Sequence, residues 1–457
     1  MQRRGIRWPP NAAREAADPM EWYWALVLLL GAVIALMMLG VPVAFAFLGV
    51  NVVGALVFLG GEAGLVQFAR NTVNAVTSFS LAPIAMFVLM GEILFQTGVA
   101  IKAIDAVDRL ISKVPGRLSL VAIAGGTVFS TLSGSTMANT ALLGSTLLPE
   151  MKRRGYHPTI AMGPIMATGG IAMLIPPSAL AVLLGSLAGI SIGKLLIAGI
   201  LPGILMAVLF FGYVLLRCSL NPKLAPAYEV EEMSFGARIR PFLIYVVPLF
   251  ALFAVVVGGI LTGLATPTES AALGAVGSFI AAALYGRLTF DGFKRAVMET
   301  TKITATILLI IAGSLTFSQI LAFSGATSGL LGAVQQAGLS ELALLFAMIG
   351  ILLFLGAFMD QLSMLLITLP FFMPMAEAAG FDTIWFGVIL LLVMEISLTT
   401  PPFGLLLFVM KGTAPQGTTM RQIYLAAAPF VGLAMLLLLA VVFIPDIATL
   451  LPDILSK

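Results

Sequence analysis

One cysteine, Cys218, and one histidine, His157, are all that 457 residues supply of the two side chains that most often ligate transition metals. An intrachain disulfide and a thiolate metal site are excluded, and His157 has no histidine partner for zinc. Charge is scarce as well. Acidic and basic residues make up 10% of the chain against 60% hydrophobic ones, so a soluble core of this size would lack the polar surface to cover it. The formal net charge of +3 is too small to point to nucleic acid as a partner. A membrane-embedded enzyme would want paired acids, a histidine cluster or a nucleophile with its base, and most of these are missing.

Long apolar runs take the place of charge. They recur along the whole chain, with a mean hydropathy of +1.09, and mark an all-α polytopic membrane protein. The runs are continuous rather than alternating, which favours a helical bundle over a barrel. The first begins near Trp22, is long for a signal-peptide core and has no small-residue cleavage pattern, so it reads as a retained span. Residues 1–21 before it are a Pro/Ala/Arg-rich tail of disordered composition, with Met20 as an alternative start.

Hydropathy places spans at 22–40, 42–60, 79–98, 159–190, 193–216, 241–261, 267–286, 303–323, 383–411 and 421–444. Two further apolar stretches, 118–150 and 340–375, have a small or polar centre between arms too short to cross alone. That pattern predicts re-entrant hairpins, whose tips must be covered by protein or face a cavity. Segments 100–117 and 325–338 have amphipathic spacing. In the first, Ile101, Ile104, Val107, Leu110 and Ile111 oppose Lys102, Asp105, Asp108, Arg109 and Lys113, as in an interfacial anchor or an ordinary connector.

The two halves repeat in their punctuation. Pro149 and Pro176 are 27 residues apart, as are Pro374 and Pro401, and each pair is offset by 225 (374 − 149; 401 − 176). Three spans precede each hairpin and two follow it, so the second half is predicted to insert upside down. The reading gives a first inverted repeat at 22–217, a linker at 218–240 and a second repeat at 241–457. Basic residues in "KRRGYH" (152–157), in 217–240 and in 287–302 fall on one side, which is cytoplasmic by the positive-inside rule. The linker is then cytoplasmic, the first hairpin enters from inside and the second from outside.

Each half also breaks a span. "IPPS" (175–178) and "TTPPFG" (399–404) put two successive prolines inside otherwise spanning helices. Proline lacks the N–H that would pair with the carbonyl one turn back, and in hydrocarbon a freed carbonyl needs a partner. A cation bound by carbonyls and hydroxyls answers that need. The tips offer such hydroxyls in "STLSGSTMAN" (130–139) and "MDQLSM" (359–364). Broken helices at corresponding positions of inverted repeats point to a transporter binding site.

These motifs, with "GVPVAFAFLG" (40–49), "SGSTMANTALLGSTLLPEM" (133–151), "GLATPTESAALG" (263–274) and "EISLTTPPFG" (395–404), resemble the large, DctM-like membrane subunit of tripartite ATP-independent periplasmic (TRAP) transporters. The resemblance runs over nearly the whole chain after residue 20. It implies a multi-pass protein of the bacterial cytoplasmic (inner) membrane, of an elevator-type ion-transporter fold. It also implies Na⁺ as coupling ion and uptake of an organic acid such as a C4-dicarboxylate or a sugar acid. A periplasmic substrate-binding protein would deliver the acid, and a small membrane subunit would brace this one. A stand-alone Na⁺/anion symporter of the same broad fold is the alternative. Carried onto this sequence, the first sodium site falls on Ser130 and Ser133 with carbonyls at Ala172, Ile175 and Pro176. The second falls on Gly356, Ser397, Thr400 and Phe403. The remaining tip and break residues, Ser135, Thr136, Asn139, Pro177, Asp360, Ser363 and Thr399, are the substrate-binding candidates. The family usually has glycine where Ala172 and Ser397 stand, and often asparagine at Val393. No arginine marks a carboxylate clamp in either tip or break.

Among the acids, Glu269 in "TPTE" reads as the third member of a capping box with Thr266, with ion coupling as the alternative. Asp360 would either neutralise sodium or cap the second hairpin arm. Glu395 would be a charge behind the ion site or a protonated helix–helix hydrogen bond. Glu92 fits neither site.

Overall fold

The computed structural model describes residues 20–111, 114–226 and 234–455, all of it helix, turn or irregular chain with no strand. Residues 1–19, with most of the expected tail, and Lys113 of the first amphipathic segment lie outside the described residues. Six helices are long and apolar enough to cross a membrane, or seven if one bent pair counts as a span. This is fewer than hydropathy alone predicts, because two apolar runs are cut by the proline breaks. The helices Trp22–Met38 and Val43–Phe58 fall short of 18 residues.

The two halves present the same elements in the same order. In the first, a hairpin of Arg117–Ser133 and Thr136–Arg153 precedes the broken helix Pro158–Ile171/Ala179–Ala188 and the long helix Ile192–Leu220. In the second, Glu341–Gly356 and Gln361–Ala378 precede Thr383–Leu398/Leu405–Thr413 and Met420–Phe443. Pro149 and Pro374 each stand 13 residues into their arm (149 − 136; 374 − 361). The second arms are longer than expected. Each has 18 residues, about 27 Å of helix, and Gln361–Ala378 meets the length and composition of a span.

Packing between the halves is reciprocal. The arm Thr136–Arg153 contacts Leu405–Thr413, while Gln361–Ala378 contacts Ala179–Ala188. Pro158–Ile171 packs on Met420–Phe443, and Thr383–Leu398 packs on Ile192–Leu220. The outer helices do the same: Val43–Phe58 lies on Phe290–Phe323, and Pro267–Leu284 on Ala82–Gln96. The broken helices form the centre, with residues 160–171 and 385–398 buried without interruption. Protein therefore encloses the first break, where residues 172–178 are all buried, whereas Pro401, Pro402 and Phe403 of the second stand exposed.

Three elements differ from the sequence reading. The third span of the first half is a pair, Glu62–Thr77 and Ala82–Gln96, bent by 47°. Its polar residues have partners: Asn71 Nδ2 donates to Gln319 Oε1 at 2.6 Å and to Thr316 Oγ1 at 3.3 Å. The helix Val99–Leu110 buries Val99, Ala103, Ile104, Ala106 and Val107 against protein, leaving Ile101 and Leu110 exposed. It docks on Arg117–Ser133 and on 242–246, with Asp108 paired to Arg117 at 2.8 Å, so its apolar face is not simply interfacial. A C-terminal helix, Asp446–Leu455, packs on Ile192–Leu220 and was not expected.

Candidate transport site

Each hairpin tip sits on the break of its own half. At the first tip, Gly134 takes φ +60°, a left-handed conformation that ends the first arm. Ser135 then starts the second arm, its hydroxyl accepting from the Ala138 N–H at 3.3 Å. A Cβ on Gly134 would stand 3.5 Å from the Pro177 carbonyl oxygen, so tip and break are in contact. Ser130 Oγ donates to the Gly169 carbonyl at 3.3 Å, just before the break. The Ser133 side chain lies outside the described residues.

The prolines account for the break's free oxygens. In an unbroken helix the N–H groups of residues 176 and 177 would pair with the carbonyls of Ala172 and Met173. Proline supplies neither. The Met173 carbonyl is taken instead by Ser178 Oγ at 2.8 Å, which also caps the next helix through Ala181 N–H. Among the described residues no backbone N–H outside the regular helices is bonded to the carbonyls of Ala172, Ile175 or Pro176. Both Pro–Pro peptide bonds are cis.

At the second break the contact is tighter. The Phe403 N–H donates to the Ala357 carbonyl at 3.1 Å, a backbone bond from break to tip. Gly356 lies so close to Ser397 that a Cβ there would fall 2.2 Å from the serine Cβ. The hydroxyls of Ser397 and Thr400 each donate at 2.7 Å to a carbonyl of their own helix, Met394 and Ile396 respectively. A hydroxyl that donates in this way keeps its lone pairs for a cation. Both tips therefore bring hydroxyl and carbonyl oxygens together, the hard donor set that suits an alkali ion. Among the described residues no group of three or more His, Cys, Asp and Glu forms.

The two broken helices meet at Gly170 and Glu395, positions that are themselves 225 apart. A Cβ on Gly170 would lie 2.2 Å from Glu395 Cγ. Glu395 is 3% exposed, and among the described residues its Oε2 has no hydrogen-bond partner on the facing helix.

A cavity of about 220 Å³ adjoins the first tip and break. Its walls include Gly134 to Met137, Ala172, Met173, Ser178 to Leu180, Gln361 and Leu362, facing Val88, Glu92, Ile303 and Ile307 of the outer helices. Thr136–Met137, Ala179–Leu180 and Gln361–Leu362 are each the first two residues of a helix. Their N–H groups have no intrahelical acceptor, so three helix starts present donors and positive dipole ends toward this space. No lysine or arginine lines it.

Of the residues picked as substrate contacts, Ser135 and Thr136 stand on this wall and the others do not. Asn139 Nδ2 donates back to the Gly126 carbonyl at 3.3 Å. Thr399 Oγ1 donates to the Ile396 carbonyl at 3.2 Å, and Pro177 faces the tip at Gly134. Asp360 caps the second arm, accepting from the Ser363 N–H at 3.0 Å and from the Ser363 hydroxyl. Gln361, passed over between them, reaches the cavity. Its amide meets the Met173 thioether at 3.7 Å, a weak acceptor that a substrate oxygen would replace to advantage.

Known proteins resemble this chain over most of its length. The family described as "Tripartite ATP-independent periplasmic transporter, DctM component" matches residues 30–447. The chain belongs to that family. The C4-dicarboxylate TRAP transporter large permease protein of Pseudomonas aeruginosa is 31% identical over 408 residues, covering 86% of this chain and 93% of its own. The sialic acid TRAP transporter large permease protein of Vibrio cholerae is 31% identical, covering 88% and 92%. Two solved transporters share the fold alone. Alcanivorax borkumensis YdaH has a TM-score of 0.59 at 14% identity, covering 92% of this chain and 98% of its own. Neisseria gonorrhoeae MtrF has a TM-score of 0.56 at 16% identity, covering 82% and 83%. This is a multi-pass TRAP permease.

In the permease, Glu269 completes a capping box. Its Oε2 accepts from the Thr266 N–H at 2.8 Å and its own N–H donates to Thr266 Oγ1 at 3.3 Å. The same box recurs with glutamine at Thr419 and Gln422. Glutamine can therefore replace glutamate at such a position. Glu269→Gln is expected to leave melting temperature and sodium-dependent uptake at wild-type levels, checked by thermal unfolding and vesicle transport. Loss of sodium dependence in a stably folded variant would move Glu269 to the coupling machinery.

Proposed function

We propose that this chain is the sodium-driven permease of an organic-acid uptake system in the bacterial cytoplasmic membrane. The observation that carries the reading is the seating of each hairpin tip on a Pro–Pro break, twice, at matching positions of the two halves. Carbonyls freed by the prolines and hydroxyls from tip and break make two cages. Sodium in a cage satisfies oxygens that the prolines leave without a backbone donor. The first cage takes Ser130, Ser133 and the carbonyls of Ala172, Ile175 and Pro176. The second takes Gly356, Ser397, Thr400 and the carbonyl near Phe403.

The acid binds in the adjoining cavity. Its carboxylate is held by the starts of the three helices that open there, assisted by Ser135 and Gln361, which accounts for the lack of arginine. The space is smaller than the ~300–1,000 Å³ clefts that take drug-sized ligands, so a small acid fits it. Curated relatives named for C4-dicarboxylates, for sialic acid and for 2,3-diketo-L-gulonate support the class. The two repeats, 22–217 and 241–457, insert in opposite orientation. Tips and broken helices then move as one body past outer helices that stay fixed in the bilayer. A small membrane subunit braces those outer helices, and a periplasmic binding protein delivers the acid.

Reconstituted vesicles provide the test. Uptake is expected only when an inward Na⁺ gradient, the small subunit and the binding protein are all present. Full uptake by this chain alone would assign it instead as a stand-alone symporter, and indifference to Na⁺ would remove the coupling.

A further inference from the structure

The cavity has walls of opposite character. The helix starts at Thr136 and Ala179 turn positive ends to one side, the start at Gln361 is capped by the Asp360 carboxylate, and the other side carries Glu92, from the helix Ala82–Gln96. Glu92 Oε2 accepts from Gln96 Nε2 at 3.2 Å, and among the described residues the carboxylate makes no salt bridge. An acid entering this space brings its own negative charge toward a carboxylate that no cation on the wall offsets. That repulsion weakens binding of the anion.

We propose that Glu92 makes binding of the acid conditional on sodium. Ala172 lines the cavity and also offers one of the carbonyls of the first cage, so a sodium ion there sits at the cavity's edge. With the cage filled, the ion's charge cancels the Glu92 field across the cavity and the anion enters. With the cage empty, Glu92 keeps the anion out, and the mobile body has no cargo to carry without its coupling ion. Glu92 thus positions charge rather than contacting the acid, and it sets the order: sodium first, acid second. The inference rests on the assignment of the first break to sodium and of the cavity to the acid.

The test uses the purified permease with its small subunit. Succinate, gluconate and N-acetylneuraminate serve as probes, titrated to tens of millimolar in sodium chloride and in choline chloride, with binding read by thermal shift. The wild type is expected to bind its preferred probe at least ~10-fold more tightly in sodium. In Glu92→Gln the affinity rises by a similar factor in both salts, about 10-fold or more, so that the acid binds without sodium at concentrations where the wild type does not, while Glu92→Asp keeps the wild-type affinities. Ser130→Ala loses the sodium gain without a rise in choline. If Glu92→Gln does not fold, Ile303→Glu, which adds an acid to the same wall, should lower choline affinity further; a choline affinity equal to wild type would overturn the proposal. A Glu92→Gln affinity in choline equal to wild type overturns it, as does equal weakening in both salts, which would make Glu92 an ordinary contact. Wild-type binding that ignores sodium would instead overturn the sodium assignment, and no response to any probe would overturn the cavity assignment.

Discussion

Gly356→Ala is expected to cripple sodium-dependent uptake while leaving the protein in the membrane. The added methyl would fall 2.2 Å from Ser397 Cβ, 2.9 Å from Ser397 Oγ and 3.3 Å from Met364 Sδ. A serine hydroxyl can rotate away, but its Cβ is fixed to the backbone of a buried helix. The tip must therefore lift off the break, and the neighbouring bond from Phe403 N–H to the Ala357 carbonyl goes with it. Overpacking of this kind costs about 1–3 kcal/mol, or roughly a 5- to 150-fold loss of apparent sodium affinity if the cage bears it. Ser397→Gly removes the atoms that the methyl meets, so the double variant should recover most of the loss. Wild-type sodium dependence in Gly356→Ala would mean that the second tip is not seated on its break.

Thr400→Ala and Ser130→Ala are each expected to weaken sodium, one at either cage. Thr400 Oγ1 donates to the Ile396 carbonyl at 2.7 Å and Ser130 Oγ to the Gly169 carbonyl at 3.3 Å. The Thr400 hydroxyl is thus held with lone pairs available to the ion. Removing such a ligand leaves the ion short of a partner, at about 1–3 kcal/mol or roughly 5- to 150-fold in apparent affinity. Thr400→Ser keeps the oxygen and should behave as wild type. Titration of uptake against Na⁺ checks all three. Equal loss in Thr400→Ala and Thr400→Ser would trace the effect to the missing methyl and hence to packing.

The breaks and tips were legible because proline and glycine act locally. Pro176 and Pro401 remove particular N–H groups, and Gly134 permits one particular turn, wherever the chain goes afterwards. Glu269 was legible for the same reason, since a capping box is complete within four residues. The bent pair 62–96 was not, because Gln67, Arg70, Asn71 and Asn74 give its first helix the look of a loop. Asn71 is tolerated there by a bond to Gln319, 248 residues away. The cavity was hidden for a similar reason. Its wall joins residues 88–92, 134–137, 172–183, 303–307 and 361–362, which no local pattern connects. Asp360 and Ser363 stood out by residue type, yet they satisfy each other at the cap. Gln361 beside them faces the cavity, and its place as the first helical residue after the cap was the available signal.

The central claim is that the two tips and the two breaks travel as one body, locked by sodium, past fixed outer helices. Accessibility of single cysteines to an impermeant thiol reagent tests it most directly, in a Cys218→Ala background that removes the buried native thiol. Met137 and Phe358 are exposed beside the two tips, and Asp105 is exposed on the helix Val99–Leu110. With cysteine at each position in turn, sodium and substrate should change the labelling rates at 137 and 358 together and leave 105 unchanged. Independent responses of the two tips, or a response at 105 that follows them, would contradict the account.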